Sequence, residues 1–553
     1  MNRRTLLKNL AIVAPALFTG NISQACGLGG TLTADLNTTP GQPFQPNWKS
    51  LGNYQVPDWF RDAKFGMWAH WGPQCQPEAG DWYARHMYME GSKQYDFHVK
   101  KYGHPSKFGF KDVINTWKAE KWDPQGIVDL YHHTGAKYFM ALANHHDNFD
   151  LYESTYQNRW NSTRLGPKKD IVKGWAAAAR ARGLHFGVSV HAAHTWSWME
   201  TAQRADQSGA LAGVPYDGRL TQSQGKGKWW EGLDPQELYA QNHALSKNSS
   251  DNGMIHQQWH WGNGVSVPDE KYIDKFYKRT IELIDKYSPD MVYFDDSQLP
   301  LWPINDAGLR IAAHMYNKSI KDKGSLQAVI TGKILDEQQR KAMVWDIERG
   351  QSNAIEALPW QTDTCIGDWH YSREIYDNKR YKTARSVIHT LVDVVSKNGN
   401  LMLNIPLRGD GTMDEMERSI VNEIGQWMRQ NGNSIYGTRP WKIFGEGPAQ
   451  AAAAALSAQG FNEGKGKPFS AEDIRFAIKG DALYATVMAT PVLRSVLIKS
   501  LAADSSLYPE GINKVELVAN QQPLDFTRTR EGLRIRFPES VTLPLHAIPL
   551  KIT

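Results

Sequence analysis

Ser288-Pro289-Asp290-Met291-Val292-Tyr293-Phe294-Asp295-Asp296 sets a short apolar run directly in front of two consecutive carboxylates. Met291 to Phe294 lacks alternation of polar and apolar residues, as expected of a strand buried on both faces, and such strands belong to parallel sheets covered by helices. Upstream, Lys271 to Tyr287 carries apolar residues at helical spacing. The same rhythm repeats in both directions. Lys64 to Ala69, Lys137 to Leu142, His185 to Val190, Gln327 to Ile330, Met343 to Ile347 and Leu401 to Ile405 read as further strands, and Asp170 to Ala181 and Thr383 to Lys397 as further helices. Strand-helix alternation of this extent predicts an α/β fold, and so many units favour a closed (β/α)8-like barrel over an open sheet. One strand is poorly written, and its place is near Thr362.

Two stretches depart from the rhythm. About 195–264 is rich in Gly, Gln, Ser, Trp and Lys and reads as a long loop insertion after the third strand. In a barrel that position faces the mouth, so Trp196, Trp198, Trp229 and Trp230 either wall a cleft or pack the loop down. After Trp441 short alternating runs take over, at Leu483 to Met488, Ser495 to Ile498, Val515 to Val518 and Leu533 to Phe537, the signature of a β-sandwich. The expected organisation is an N-terminal targeting segment over 1–25, an irregular leader over 26–54, a barrel catalytic domain over 55–443 and a C-terminal β-sandwich over 444–553. Ala451 to Ala455 is a low-complexity patch.

The targeting segment rests on Arg3 and Arg4 before an apolar stretch, Leu10 to Phe18, too short to span a bilayer. Asn2-Arg3-Arg4-Thr5-Leu6-Leu7-Lys8 resembles a twin-arginine export signal, and Ser23-Gln24-Ala25 suits cleavage after Ala25. A periplasmic or secreted protein is expected, with Cys26 offering a lipoprotein alternative that Ser23, where such signals carry an aliphatic residue, argues against. Cys75 and Cys365 are the remaining cysteines, and no bridge between them is predicted. No later segment is long and apolar enough to cross a membrane. The net charge of +5 is the small difference between 63 basic and 58 acidic residues, without a basic stripe, so nucleic acid is not the expected partner. The 553-residue chain carries 21 Trp, whose flat faces suit sugar rings. Oligomeric state, a homo-oligomer included, is left open.

Barrel strands deliver their C-terminal ends to one mouth, so chemistry is sought there. Those ends carry His70 and Trp71, then Asn144, His145 and His146, then His191, then Asp295 and Asp296, then Asp346 and Glu348. Histidines and Trp suit hydroxyls and ring faces, and two carboxylates suit a nucleophile and an acid/base. Zinc is the rival reading of so many histidines. However, neighbours such as His145 and His146 point to opposite faces if they continue a strand, and no helical His-x-x-x-His pattern accompanies them, so no metal is expected.

Several ordered blocks carry a resemblance. Asp62-Ala63-Lys64-Phe65-Gly66 leading to His70-Trp71-Gly72, then Asp81-Trp82-Tyr83, resembles the opening of glycoside hydrolase family 29, the α-L-fucosidases. Asn144-His145-His146-Asp147-Asn148-Phe149, Gly166-Pro167-Lys168-Lys169-Asp170 and Ser288 to Asp295 are similar to later blocks of that family. So are Leu391 to Asn400, Asn404, Asp410-Gly411-Thr412 and Ile435 to Trp441. The resemblance implies a barrel followed by a β-sandwich, retaining hydrolysis of a terminal α-L-fucosyl residue from an oligosaccharide or polysaccharide, and neither metal nor cofactor. Asp295 would be the nucleophile, and His70, Asp81, Trp82, His145, His146, His191 and Trp369 would bind the sugar.

The chain also departs from the family. Gln361 stands where many members have the acid/base Glu and has no ionisable proton to give. Glu348-Arg349-Gly350 with Pro359-Trp360-Gln361-Thr362-Asp363 resembles a subgroup in which another carboxylate serves, and Glu348 is the expected acid/base, with Asp346 and Asp363 as reserves. Asp81 stands where Glu is common, and the residue after His185-Phe186-Gly187 is not the usual Tyr. These changes keep an α-L-galactosidase and a non-catalytic sugar-binding relative as alternatives.

Overall fold

A computed structural model describes residues 43–240, 243–247, 261–262, 264–450 and 462–553. The export segment with Arg3, Arg4 and Cys26, most of the leader, part of the insertion and the Ala451 patch lie outside the described residues.

Eight parallel strands close into a barrel in sequence order: β1 (Phe65–Ala69), β2 (Tyr138–Asn144), β3 (His185–Val190), β4 (Met291–Phe294), β5 (Val329–Gly332), β6 (Val344–Glu348), β7 (Trp360–Cys365) and β8 (Gly399–Asn404). Every residue of β1, β2, β4, β5, β7 and β8 is buried, and burial on both faces is why these strands, β7 excepted, read as largely apolar runs. The strand missing from the sequence reading is β7, whose Gln361, Thr362, Asp363 and Thr364 are polar yet buried. Its polar side chains are tolerated because they find partners. Tyr138 from β2 donates to Gln361 Oε1 at 2.9 Å, and Gln361 donates onward to Asp346 Oδ1 at 2.8 Å. The Tyr138 ring needs room, and Gly66 supplies it, since a Cβ there would lie 2.2 Å from that ring.

The expected helices are present as Ile171–Ala181, Glu270–Tyr287 and Ala384–Ser396. Asp170, Asp269 and Thr383 cap their first turns by accepting from backbone N–H groups that have no intrahelical partner. Ser288 in the left-handed conformation ends the second helix and returns the chain into β4. Between β3 and β4 the insertion contains only short helices among its described residues before residue 270.

Past the barrel, β9 (Arg439–Glu446), β10 (Ile474–Lys479), β11 (Ala482–Val487), β13 (Val515–Leu517) and β16 (Ile548–Ile552) form one antiparallel sheet in the order β13-β16-β11-β10-β9. A second contains β12 (Ser495–Ile498), β15 (Gly532–Arg536) and β14 (Phe526–Thr529), in that order. Phe476, Leu483, Val487 and Leu550 of the first sheet share a core with Val496, Ile498, Leu533 and Ile535 of the second, as in a β-sandwich. Its first strand starts at Arg439, ahead of residue 444.

Candidate active site

Asn144 closes β2 and braces the loop after it. Its side-chain oxygen accepts from the backbone N–H groups of His191 and Ala192 at 3.2 Å, tying the end of β2 to the end of β3, while its amide donates to Asp150 at 2.9 Å. Asp150 is itself forked by Arg279, at 3.0 and 2.6 Å, and the same guanidinium reaches Asn148 at 2.6 Å. Arg279 and Asp150 are both buried, so removing one leaves an uncompensated charge. Arg279→Met is expected to destabilise the protein by about 3–5 kcal/mol, read as a lower midpoint in urea unfolding at unchanged slope.

This bracing sets out a row of imidazoles, and burial holds the His70, His145 and His191 rings below their ordinary range, His191 at about 4. They are therefore neutral, each with one donor and one acceptor, which matches what a sugar hydroxyl offers. Gln74 fixes the His145 tautomer by donating to its Nδ1 at 2.8 Å while also donating to Asp147 at 3.1 Å. The His145 proton is then left on Nε2. Two trios, His70 with His145 and His370 and His145 with His146 and His191, bring ligand atoms within 4.8 Å of one another, a spacing that would admit a metal. The tautomer fixed by Gln74 leaves His145 Nε2 as a donor for a hydroxyl oxygen.

Asp295, one residue past β4, stands at the centre. His146 Nε2 lies 3.1 Å and His191 Nδ1 3.2 Å from its Oδ2, and Lys333 Nζ contacts its Oδ1. Burial disfavours the charge, yet Lys333, His146 and His191 outweigh it and hold the carboxyl well below its ordinary range. The same ammonium lies 2.5 Å from Glu348 Oε2 at the end of β6. Oxygens of the two carboxylates are therefore within about 5 Å of each other, the separation of a retaining pair. Burial disfavours the Lys333 charge too, but Asp295, Glu348 and Asp363 around it raise its pKa well above that of an ordinary lysine.

Above these groups opens a pocket of about 340 Å³. Of the residues expected to bind sugar, His70, Asp81, Trp82, His145, His191 and Trp369 line it, together with Asp295 and Glu348. His146 does not. It is fully buried behind Asp295, and its Nδ1 contacts the His191 carbonyl at 2.7 Å, so it orients the carboxylate. Trp82 sits in the left-handed region at φ 58°, ψ 25°, an unusual conformation for a bulky residue and one that clusters at ligand clamps. Asp296 turns away from the pocket to His194, 2.7 Å from its Nε2. Asp346 is buried beneath the pocket, and Asp363 lines it with Oδ2 accepting from Tyr293 at 2.8 Å. Trp196, Trp198, Trp229 and Trp230 do not line it. Trp198 packs its ring against His145 and His146 from behind, Trp196 stacks on His243, Trp229 bonds Asp112, and Trp230 lies beside Lys111.

Lys333, Tyr293 and His370 also line the pocket and were not expected there. Lys333 had a usable signal, because it follows β5 directly. The sequence reading ended that strand at Ile330, three residues short of it.

A parallel barrel with two carboxylates bridged at its mouth, beneath neutral imidazoles and Trp faces, defines a glycoside hydrolase. A family model described as alpha-L-fucosidase matches residues 31–433, and the chain belongs to that glycoside hydrolase family. The chain is 26% identical to the plasma alpha-L-fucosidase of Homo sapiens over 72% of its own length and 73% of the relative's, and 24% identical to the tissue alpha-L-fucosidase of Rattus norvegicus over 73% and 74%. The fold is that of the Thermotoga maritima alpha-fucosidase in complex with fucose (TM-score 0.64, 24% identity, 92% of this chain and 100% of the other). It is likewise that of alpha-L-fucosidase isoenzyme 1 from Paenibacillus thiaminolyticus (TM-score 0.60, 19% identity, 91% and 99%).

Proposed function

We propose that the chain is a retaining exo-α-L-fucosidase in which Asp295 is the nucleophile and Glu348 the general acid/base. The observation that carries this is Lys333, one ammonium in contact with both carboxylates. Asp295, held ionised, attacks the anomeric carbon while Glu348 passes a proton to the departing oxygen, leaving a glycosyl ester on Asp295 and a free alcohol. Esterification removes the charge of Asp295, so Lys333 retains Glu348 as its close anionic partner. That favours the ionised Glu348 needed to take a proton from water in the second step. The small pocket admits a terminal sugar rather than a length of chain. His70, His145 and His191 bind hydroxyls, with Asp81, Trp82 and Trp369 at the remaining walls.

Retention is tested by following the first-formed sugar by proton NMR. The α-anomer is expected, and initial release of the β-anomer would overturn the mechanism. Paired nitrophenyl α-L-fucoside and α-L-galactoside substrates test the sugar. L-galactose adds one hydroxyl at carbon 6, which an apolar wall discriminates poorly, so a fucoside preference of roughly 10- to 200-fold is expected. A galactoside preference reassigns the substrate, and no turnover of either makes the chain a sugar-binding relative.

Export through Arg3-Arg4 to the periplasm, with cleavage after Ala25, belongs to the same proposal, as does the division of the chain near residue 443. Mass analysis of the mature N-terminus tests the former, a lipid on Cys26 being the outcome that changes it.

A further inference from the structure

At the floor of the pocket, one member lining it and the other below, lies a carboxyl pair that the two-carboxylate mechanism does not use. Asp346 on β6 and Asp363 on β7 are buried and within hydrogen-bonding reach of each other. Each has one satisfied oxygen, Asp346 Oδ1 accepting from Gln361 and Asp363 Oδ2 from Tyr293. The other oxygens, Asp346 Oδ2 and Asp363 Oδ1, are buried without any donor. A buried acceptor without a donor is costly, and two facing carboxylates repel, so a proton between them resolves both problems.

We propose that Asp346 and Asp363 share one proton, and that the single negative charge left on the pair offsets Lys333 and lets Glu348 hold its acid/base proton. The inference rests on the reading of Glu348 as the acid/base. The first step needs a proton on Glu348, whose carboxyl group is in contact with the Lys333 ammonium. Glu348 is two residues beyond Asp346 on the same face of β6 and pairs with Asp363 across the β6-β7 register, so it feels the charge of both. The titratable groups facing the pair are Lys333 after β5, Glu348 on β6, Tyr293 on β4 and Tyr138 on β2, with Asp295 on the far side of Lys333. Lys333 is the only cation among them, and it is already shared between Asp295 and Glu348. Burial raises Asp346 to about 7, and burial with the charges of Asp346 and Glu348 raises Asp363 well above the carboxylate range, as a pair short of one counter-charge requires.

A shared proton makes an unusual demand on variants. In Asp346→Asn or Asp363→Asn the amide donates to the remaining carboxylate, so the pair keeps one negative charge. In the double variant the charge is gone. The alkaline limb of kcat/KM is therefore expected to move little in either single variant and to lower pH by about one to two units in the double. Independent, additive shifts in the singles would overturn the proposal. Infrared difference spectra above pH 7 provide a readout free of activity and of folding artefacts at the assay temperature. In the difference between the unmodified protein and either single variant one deuterium-sensitive carboxylic acid stretch is expected, over bands common to both from other buried acids such as Glu417, and its absence from that difference overturns the shared proton. If the stretch behaves as expected while the limb ignores both the double variant and Glu348→Gln, the acid assignment of Glu348 has failed and the offset with it, but the shared proton stands.

Discussion

Asp295→Ala is expected to lower kcat by roughly 10⁴- to 10⁶-fold, the loss typical of removing a covalent nucleophile. His146 and His191 would be left without the carboxylate that both contact, and Lys333 would collapse onto Glu348 alone. Azide should enter the vacated space and, attacking from the nucleophile's side, yield a glycosyl azide of inverted configuration. Asp296→Ala is the matched control. Its carboxylate meets His194 rather than the pocket, so a loss of about 1–3 kcal/mol in stability with a far smaller loss of turnover is expected. A dead Asp296 variant beside an active Asp295 variant would shift the nucleophile by one residue. The structure gives a reason against that: consecutive side chains leaving a strand diverge, and the one facing the pocket is Asp295.

The second large effect is on Glu348→Ala, and its size depends on the leaving group. A natural disaccharide leaves as an alkoxide unless protonated, so kcat/KM should fall about 10²- to 10⁴-fold. A nitrophenolate needs little protonation and its first step should be nearly spared, with azide rescuing the second. The structural alternative is a Glu348 that serves an ion pair only. The adjacent Arg349 turns to Glu463, 3.6 Å away, while Glu348 meets the ammonium that also holds Asp295. Equal losses on both substrates without azide rescue would still move the assignment. Asp363, which lines the pocket, would be next, since Asp346 lies below it.

Particular residues show where sequence reasoning reached and where it stopped. Met291-Val292-Tyr293-Phe294 was legible as a strand because burial on both faces leaves an unbroken apolar run. Trp360 to Cys365 was not, because Gln361 and Asp363 are buried polar residues whose partners Tyr138, Tyr293 and Asp346 lie on other strands. His70, His145 and Asp295 were legible as strand ends. His146 is expected in the pocket from the family resemblance, whereas the backbone places it behind Asp295, outside the pocket lining. The insertion tryptophans were undecided between cleft wall and packing, and burial of Trp198 against the histidine row settles its case as packing.

By itself the sequence determined the barrel, the sandwich, the strand that delivers Asp295 and the family, because these depend on periodicity and on short contiguous blocks. The tertiary structure alone decided that Lys333 joins Asp295 to Glu348, that Gln74 sets the His145 tautomer, and that Asp346 and Asp363 each keep one buried oxygen without a donor. The physical reason is that charge and proton position in a buried site are set by distances between groups from different strands, and closure of the barrel brings β4, β5, β6 and β7 to one point that no linear spacing records.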